Sequence, residues 1–132
     1  MTVVVDASVV VAALTDSGPH GRWAEQQVLD AGAAPHLLPV EVANTLRRLA
    51  LAGTLSDDVA SLAHQDLVDR RIPLVPYEAV AARAWELRAT VSSYDAWYVG
   101  VAEMFGLPLC TLDLRLTRAP GPTCAFLTPP AA

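Results

Sequence analysis

The chain is 132 residues long, carries a net charge of −5 and is 53% hydrophobic. This length predicts a single domain, residues 1–127, and the apolar content is sufficient for a sizeable core. The acidic balance argues against a stand-alone nucleic-acid-binding module, which usually presents a basic surface. The last residues, 128–132, end in Pro-Pro-Ala-Ala, and we expect this tail to fray.

The amino terminus is apolar but lacks the pattern of a secretion signal. It has no basic leader, Asp6 interrupts the apolar run, and the run is shorter than the ~20 residues that span a bilayer. We therefore expect a cytoplasmic protein. Cys110 and Cys124 have apolar neighbours and no CxxC spacing, which favours small buried side chains over a disulfide or a zinc site.

Short apolar stretches alternate with helical patterns along the whole chain. In chain order, the sequence predicts a strand over 2–5, helices over 7–14 and 22–31, a strand over 35–38, helices over 40–51 and 57–69, a strand over 72–75, helices over 77–89 and 94–105, and strands over 109–112 and 124–127. A helical turn is expected over 114–118. Strands that alternate with helices indicate an α/β fold with a parallel sheet covered on both faces.

Four acidic residues follow or open these apolar stretches: Asp6, Glu41, Asp95 and Asp113. The carboxyl ends of parallel strands share one edge of a sheet, so acids that are distant in sequence converge there. A carboxylate cluster resists full ionisation unless a cation neutralises it. Oxygen ligands of this kind suit Mg²⁺ or Mn²⁺, which points to metal-assisted phosphodiester cleavage.

Each acid also has a simpler structural interpretation. Glu41 and Asp95 lie in the first turns of predicted helices, where the helix dipole favours a carboxylate whatever its function. Asp6 and Asp113 each follow a strand and could mark its end. Ser8 and Thr111 are candidates to orient the neighbouring carboxylates, or ordinary structural residues.

Several other polar and aromatic residues are interpreted as structural. Glu25 and Glu103 are expected at the surface, and Arg83 is expected to pair with Glu86 on a helix. His20, His36 and His64 lack metal-ligand spacing. The aromatic residues Trp85, Trp97 and Tyr98 are expected in the core or at a dimer interface. Arg47, Arg48, Arg115 and Arg118 could contact RNA or be solvated, and the sequence leaves both possibilities open.

Competing chemistries lack their residues. The chain contains no GxxxxGK[ST], no GxGxxG after a strand and no GxSxG. It has no lysine, which a phospho-aspartate receiver domain requires near its site, and Asp6 is followed by Ala7-Ser8 rather than by the DxD of a haloacid-dehalogenase-like phosphatase.

Four segments together resemble the PIN-domain ribonucleases of the VapC toxin type. They are VVVDASVVVAAL, PHLLPVEVANTLRRL, AWELRATVSSYDAWYVGVAE and GLPLCTLDLRLTRAPG. The resemblance implies a three-layer α/β/α sandwich around a parallel sheet of about five strands. It also implies an acidic site formed by Asp6, Glu41, Asp95 and Asp113.

The resemblance further implies Mg²⁺- or Mn²⁺-dependent endonucleolytic cleavage of RNA, homodimerisation, and neutralisation by a VapB-like antitoxin. Our hypothesis is that Asp6 and Asp95 bind the principal metal, with Asp113 and Glu41 completing its surroundings. The alternative is a non-catalytic module that holds a basic partner peptide in its acidic groove. A nuclease acting on DNA or flap structures is a third hypothesis, although the short chain lacks the helical clamp expected there.

Overall fold

A computed structural model describes residues 1–131, and Ala132, the last residue of the tail predicted to fray, lies outside the described residues. The helices are α1 Ala7–Thr15, α2 Pro19–Leu29, α3 Leu38–Leu51, α4 Asp57–Asp69, α5 Ala81–Glu86 and α6 Ser93–Phe105. The strands are β1 Val3–Val5, β2 Ala31–Pro35, β3 Leu74–Val75, β4 Leu109–Cys110 and β5 Phe126–Leu127. Single 3₁₀ turns lie at Tyr77–Ala79 and Leu116–Arg118.

The five strands form one parallel sheet in the order β3-β2-β1-β4-β5. The uniformly apolar β1 lies at its centre, and all three of its side chains are buried. This is the position that a continuous β-branched run favours, since both faces of a central parallel strand are covered by helices. The predicted α/β/α sandwich with a parallel sheet of five strands is confirmed.

Helix α6 covers the middle of the sheet and contacts β1, β2 and β4. Its buried residues are Ala96, Tyr98, Val99, Gly100, Val101 and Ala102. Ser92 caps its start, accepting a hydrogen bond from the Asp95 amide, and Gly106 ends it with φ of 64° in the left-handed region. Both ends lie where the sequence predicts them.

Two predicted elements differ from those observed. The second strand is Ala31–Pro35 rather than 35–38, because pairing with β1 holds a small-residue stretch that has little strand propensity of its own. The helix predicted over 77–89 is a 3₁₀ turn followed by the short α5. Val80 lies between the two elements and packs closely against Gly100 of α6. The contact is so close that a Cβ atom added to Gly100 would lie 2.9 Å from the Val80 Cβ.

The remaining differences are at element ends. The second helix begins at Pro19, where its missing N–H needs no partner, and ends at Leu29. The last three strands are two residues long rather than four. None of the helices within residues 1–131 is long and apolar enough to cross a membrane.

Candidate active site

Asp6 lies at the point where the central strand passes into α1. Its Oδ1 accepts hydrogen bonds from the Val9 amide (3.2 Å) and from the Ser8 hydroxyl (2.5 Å), so the same carboxylate caps the helix. The Ser8 oxygen also accepts a bond of 3.1 Å from the Leu112 amide. Ser8 thereby joins the end of β1 to the segment that follows β4.

Asp113 lies on that neighbouring segment and is held by its backbone surroundings. Its amide donates to the hydroxyl of the fully buried Thr111 (3.0 Å), and its Oδ1 accepts from the amides of Arg115 (2.9 Å) and Leu116 (3.4 Å). The Asp113 carboxylate therefore binds the two amides at which the 3₁₀ turn Leu116–Arg118 begins. The Arg115 guanidinium lies 4.0 Å from it, on a side chain that is 93% exposed.

Glu41 and Asp95 are presented by the first turns of α3 and α6. Glu41 Oε1 accepts a hydrogen bond of 2.6 Å from the hydroxyl of Tyr98, and Tyr98 is only 2% exposed. The Asp95 amide donates to the Ser92 hydroxyl at 3.1 Å. All four acidic residues are partly buried, which distinguishes them from the solvated acids of α4.

Burial raises the pKa of Asp6, Glu41 and Asp95 above the ordinary carboxyl value. The negative charge of Asp95 raises the pKa of Asp6 and Glu41 further, and Asp113 does the same to Asp95. Asp95 is thus the acid that links the other three electrostatically. Clustered carboxylates of this kind favour either a shared proton or a bound cation.

Neighbouring hydroxyls and one positive charge act in the opposite direction at Asp6 and Asp95. The Ser8 and Thr111 hydroxyls lower the pKa of Asp6, and the Ser92 side chain and then the charge of Arg115 lower that of Asp95. Desolvation nevertheless dominates, so these partners moderate the cost of holding negative charge here without removing it. Ser8 and Thr111 therefore lie where residues that orient the carboxylates would be expected.

The donor chemistry of this edge suits a hard divalent cation. Within residues 1–131, no three His, Cys, Asp or Glu side chains form a ready-made metal cluster. Mg²⁺ usually takes one or two carboxylates and keeps several waters, so it does not need such a cluster. The negative charge of Asp95 adds a small contribution to the raised pKa of Asp6, after burial, and a bound cation would relieve this repulsion.

Sequence reasoning missed some of the polar contacts. Tyr98 was expected in the core or at a dimer interface, and it is buried, but its hydroxyl reaches Glu41. The surface position expected for Glu103 is wrong, since its side chain is 13% exposed and binds Arg83 and the Thr123 amide. The predicted Arg83–Glu86 pair is present at 3.2 Å.

A separate apolar groove of about 410 Å³ lies between α3, α4 and β3. Val40, Val68 and Leu74 line it, and all three are exposed. No acidic side chain lines this groove, so it offers no carboxylate ligand for a divalent cation.

Comparisons with known proteins find relatives over most of the chain. A family model described as PIN domain matches residues 3–122. Ribonuclease VapC1 of Mycobacterium tuberculosis is 38% identical over 125 residues, which are 92% of this chain and 92% of the relative.

Solved structures share the fold. PAE2754 from Pyrobaculum aerophilum superposes with a TM-score of 0.71 at 27% identity, covering 97% of this chain and 89% of the other. VapBC2 from Rickettsia felis, bound to a DNA fragment from its promoter, gives a TM-score of 0.66 over 97% and 98% of the two chains. At 13% identity, the second comparison bears on the fold alone.

Proposed function

Because the chain belongs to the PIN-domain family and to its VapC group, we propose that it is a divalent-metal-dependent endoribonuclease that cleaves structured RNA, the toxin of a toxin–antitoxin pair. The observation that carries the proposal is a set of four partly buried acids on separate segments, in which Asp95 raises the pKa of Asp6 and Glu41 and Asp113 raises that of Asp95. A solvated surface acid would not have a raised pKa or raise the pKa of acids on two other segments.

In this proposal Asp6 and Asp95 hold Mg²⁺, or Mn²⁺ in its place, and Asp113 and Glu41 complete the site. When bound, such a metal supplies an activated water and stabilises charge on the departing oxygen. The chain's own residues position these groups. Ser8 fixes one oxygen of Asp6, Thr111 holds the backbone before Asp113, and both contacts are made by hydroxyls packed between strand ends.

Arg115 is the basic residue that we assign to the RNA backbone. It is exposed, it lies beside Asp113, and its charge lowers the pKa of Asp95. A guanidinium at the mouth of an acidic site offsets the repulsion of an approaching phosphate. Arg47, Arg48 and Arg118 are exposed as well, but none of them is among the causes of the shifted pKa values of Asp6, Glu41 and Asp95, and we assign them no role.

A VapB-like antitoxin, homodimerisation and a cytoplasmic location also belong to this proposal. Their support is the relatives that carry the VapC name. The geometry adds a chemical reason for the antitoxin, since acids that raise one another's pKa form a favourable position for an arginine from a partner.

The test is cleavage of total cellular RNA by the purified protein, with Mg²⁺ and with EDTA. Asp95→Asn should abolish cleavage while the protein remains folded. Asp58→Asn, an exposed acid in the first turn of α4, is the matched control and should cleave like the wild type. Discrete fragments that require both metal and Asp95 would support the proposal, and mapping their ends would identify the target.

Two results would contradict it. Full activity of a folded Asp95→Asn variant would remove Asp95 from the site. A folded, antitoxin-free protein that binds metal but leaves RNA intact would favour the alternative, in which the acidic edge holds a basic partner peptide.

A further inference from the structure

We propose that Tyr98 is a positioning residue that fixes the Glu41 carboxylate toward the site, an inference that rests on the proposed function. Its hydroxyl donates a 2.6 Å hydrogen bond to Glu41 Oε1 across 57 residues of sequence. The bond links α6 to α3, two helices that approach the edge of the sheet separately. No local sequence signal places these two residues together.

The buried environment of Tyr98 favours donation of its hydroxyl proton to Glu41 rather than to water. The residue is 2% exposed, so water does not compete for the hydroxyl. The hydroxyl donates to a carboxylate oxygen at 2.6 Å, and a bond of this kind belongs to the strong, charge-assisted class.

The bond leaves the second oxygen of Glu41 available. A glutamate in the first turn of a helix has several rotamers, and holding one oxygen selects among them. The half-buried carboxylate then presents Oε2, for which the side-chain contacts of the described residues show no partner. Fixing a reactive group through a buried neighbour is how rigid sites keep the geometry that catalysis needs.

Asp95 and Tyr98 lie three residues apart on α6 and therefore on neighbouring positions of one helix face. The helix that carries Asp95 into the site thus also holds Glu41. The hydrogen bond therefore ties the Glu41 carboxylate to the helix that carries Asp95.

The test is a double-mutant cycle with Tyr98→Phe and Glu41→Ala, read by Mn²⁺ affinity of the RNA-free protein and by single-turnover cleavage. Phe keeps the buried ring and removes only the hydroxyl. We expect Tyr98→Phe to lower the cleavage rate about tenfold, the equivalent of one charge-assisted bond, with KM unchanged and Mn²⁺ binding weakened. In the Glu41→Ala background it should add no more than about a twofold change.

Tyr77→Phe is the matched control. Tyr77 packs edge-on against Trp97 and makes no hydrogen bond to the four acids, so its variant should behave like the wild type in both assays. Circular dichroism of each variant, taken first, ensures that only folded proteins are compared. If Tyr98→Phe does not fold, 4-fluorophenylalanine at position 98 fills the space of the hydroxyl without donating a hydrogen bond, and it should give the same loss.

Equal losses from Tyr98→Phe in both backgrounds would overturn the proposal, because a purely structural effect does not depend on Glu41. A wild-type protein that binds Mn²⁺ without cleaving RNA would refute the proposed function, while the Mn²⁺ cycle would still decide the role of Tyr98. A wild-type protein that does neither would overturn both.

Discussion

The hydroxyl of Ser8 joins the ends of β1 and β4, and its removal should lower the free energy of unfolding by about 2 kcal/mol. In Ser8→Ala, Asp6 loses a donor at 2.5 Å and the Leu112 amide loses its acceptor at 3.1 Å. A bond to a charged group contributes about 1.5–3 kcal/mol, and an orphaned buried donor costs about 1–3 kcal/mol. Both sites are only partly buried, so the expected loss lies near the lower end of the combined range.

Thermal and urea unfolding in EDTA, followed by circular dichroism, measure this loss. For 132 residues the entropy of unfolding is about 0.28 kcal/mol/K, so a loss of about 2 kcal/mol lowers Tm by about 7 °C. Ser61→Ala is the matched control, because Ser61 is an exposed serine of α4 that gains the same helix propensity. It should change stability by less than about 0.5 kcal/mol.

Equal stability of Ser8→Ala and Ser61→Ala would refute the reasoning. That result would mean that water replaces the Ser8 hydroxyl without cost, and that the strand ends do not depend on it. A loss confined to Ser8→Ala would instead identify this residue as part of the structure that supports the acidic edge.

Three further predictions concern the charges of the site. Mg²⁺ at about 100 times its Kd should raise the free energy of unfolding by about 2.7 kcal/mol, measured in urea, and Asp6→Asn should reduce this stabilisation. Equal stabilisation of the wild type and Asp6→Asn would argue against Asp6 as a ligand. The free energy of unfolding in EDTA, measured relative to Asp6→Asn, should fall as the pH rises from 3.8, the ordinary pKa of Asp, through the raised pKa of folded Asp6. The reason is that native Asp6 keeps a proton that the unfolded chain has released. A rise in stability across that pH window would contradict the assigned burial of Asp6. Arg115→Gln should raise KM for RNA and reduce the salt slope of binding by about 1. Arg88, which stacks on Trp85, is the control, and Arg88→Gln should leave both KM and the slope unchanged. An unchanged slope in Arg115→Gln would mean that Arg115 is only solvated.

Local signals in the sequence were sufficient to predict much of this fold. An apolar β-branched run before Asp6 predicts a central parallel strand, and β1 occupies that position. Ser92 and Gly106 predict the two ends of α6 from capping preferences alone. The rule that carboxyl ends of parallel strands share an edge predicts that Asp6 and Asp113 lie in one region. Their convergence with Glu41 and Asp95 at one metal site stays a prediction.

Contacts between distant segments could not be predicted in this way. The apolar neighbours of Tyr98 in the sequence predict a core residue. Its hydroxyl has a carboxylate partner only because Glu41 of α3 lies beside it in the fold. A charged residue such as Glu103 is expected at the surface, but its carboxylate accepts hydrogen bonds from Arg83 and from the Thr123 amide and is largely buried. The second strand, Ala31–Pro35, is held by its neighbours rather than by the preferences of its residues.

The pairing of β1 with β4 also determines when the acids can meet during synthesis. Ser8 and Leu112, which join these strands, are 104 residues apart along the chain. At a translation rate of about 5–20 residues per second, roughly 5–20 s separate the two. During that interval β4 has not been synthesised, and Asp6 lacks the neighbouring strand. The site is therefore incomplete for most of the time that the ribosome takes to synthesise the chain.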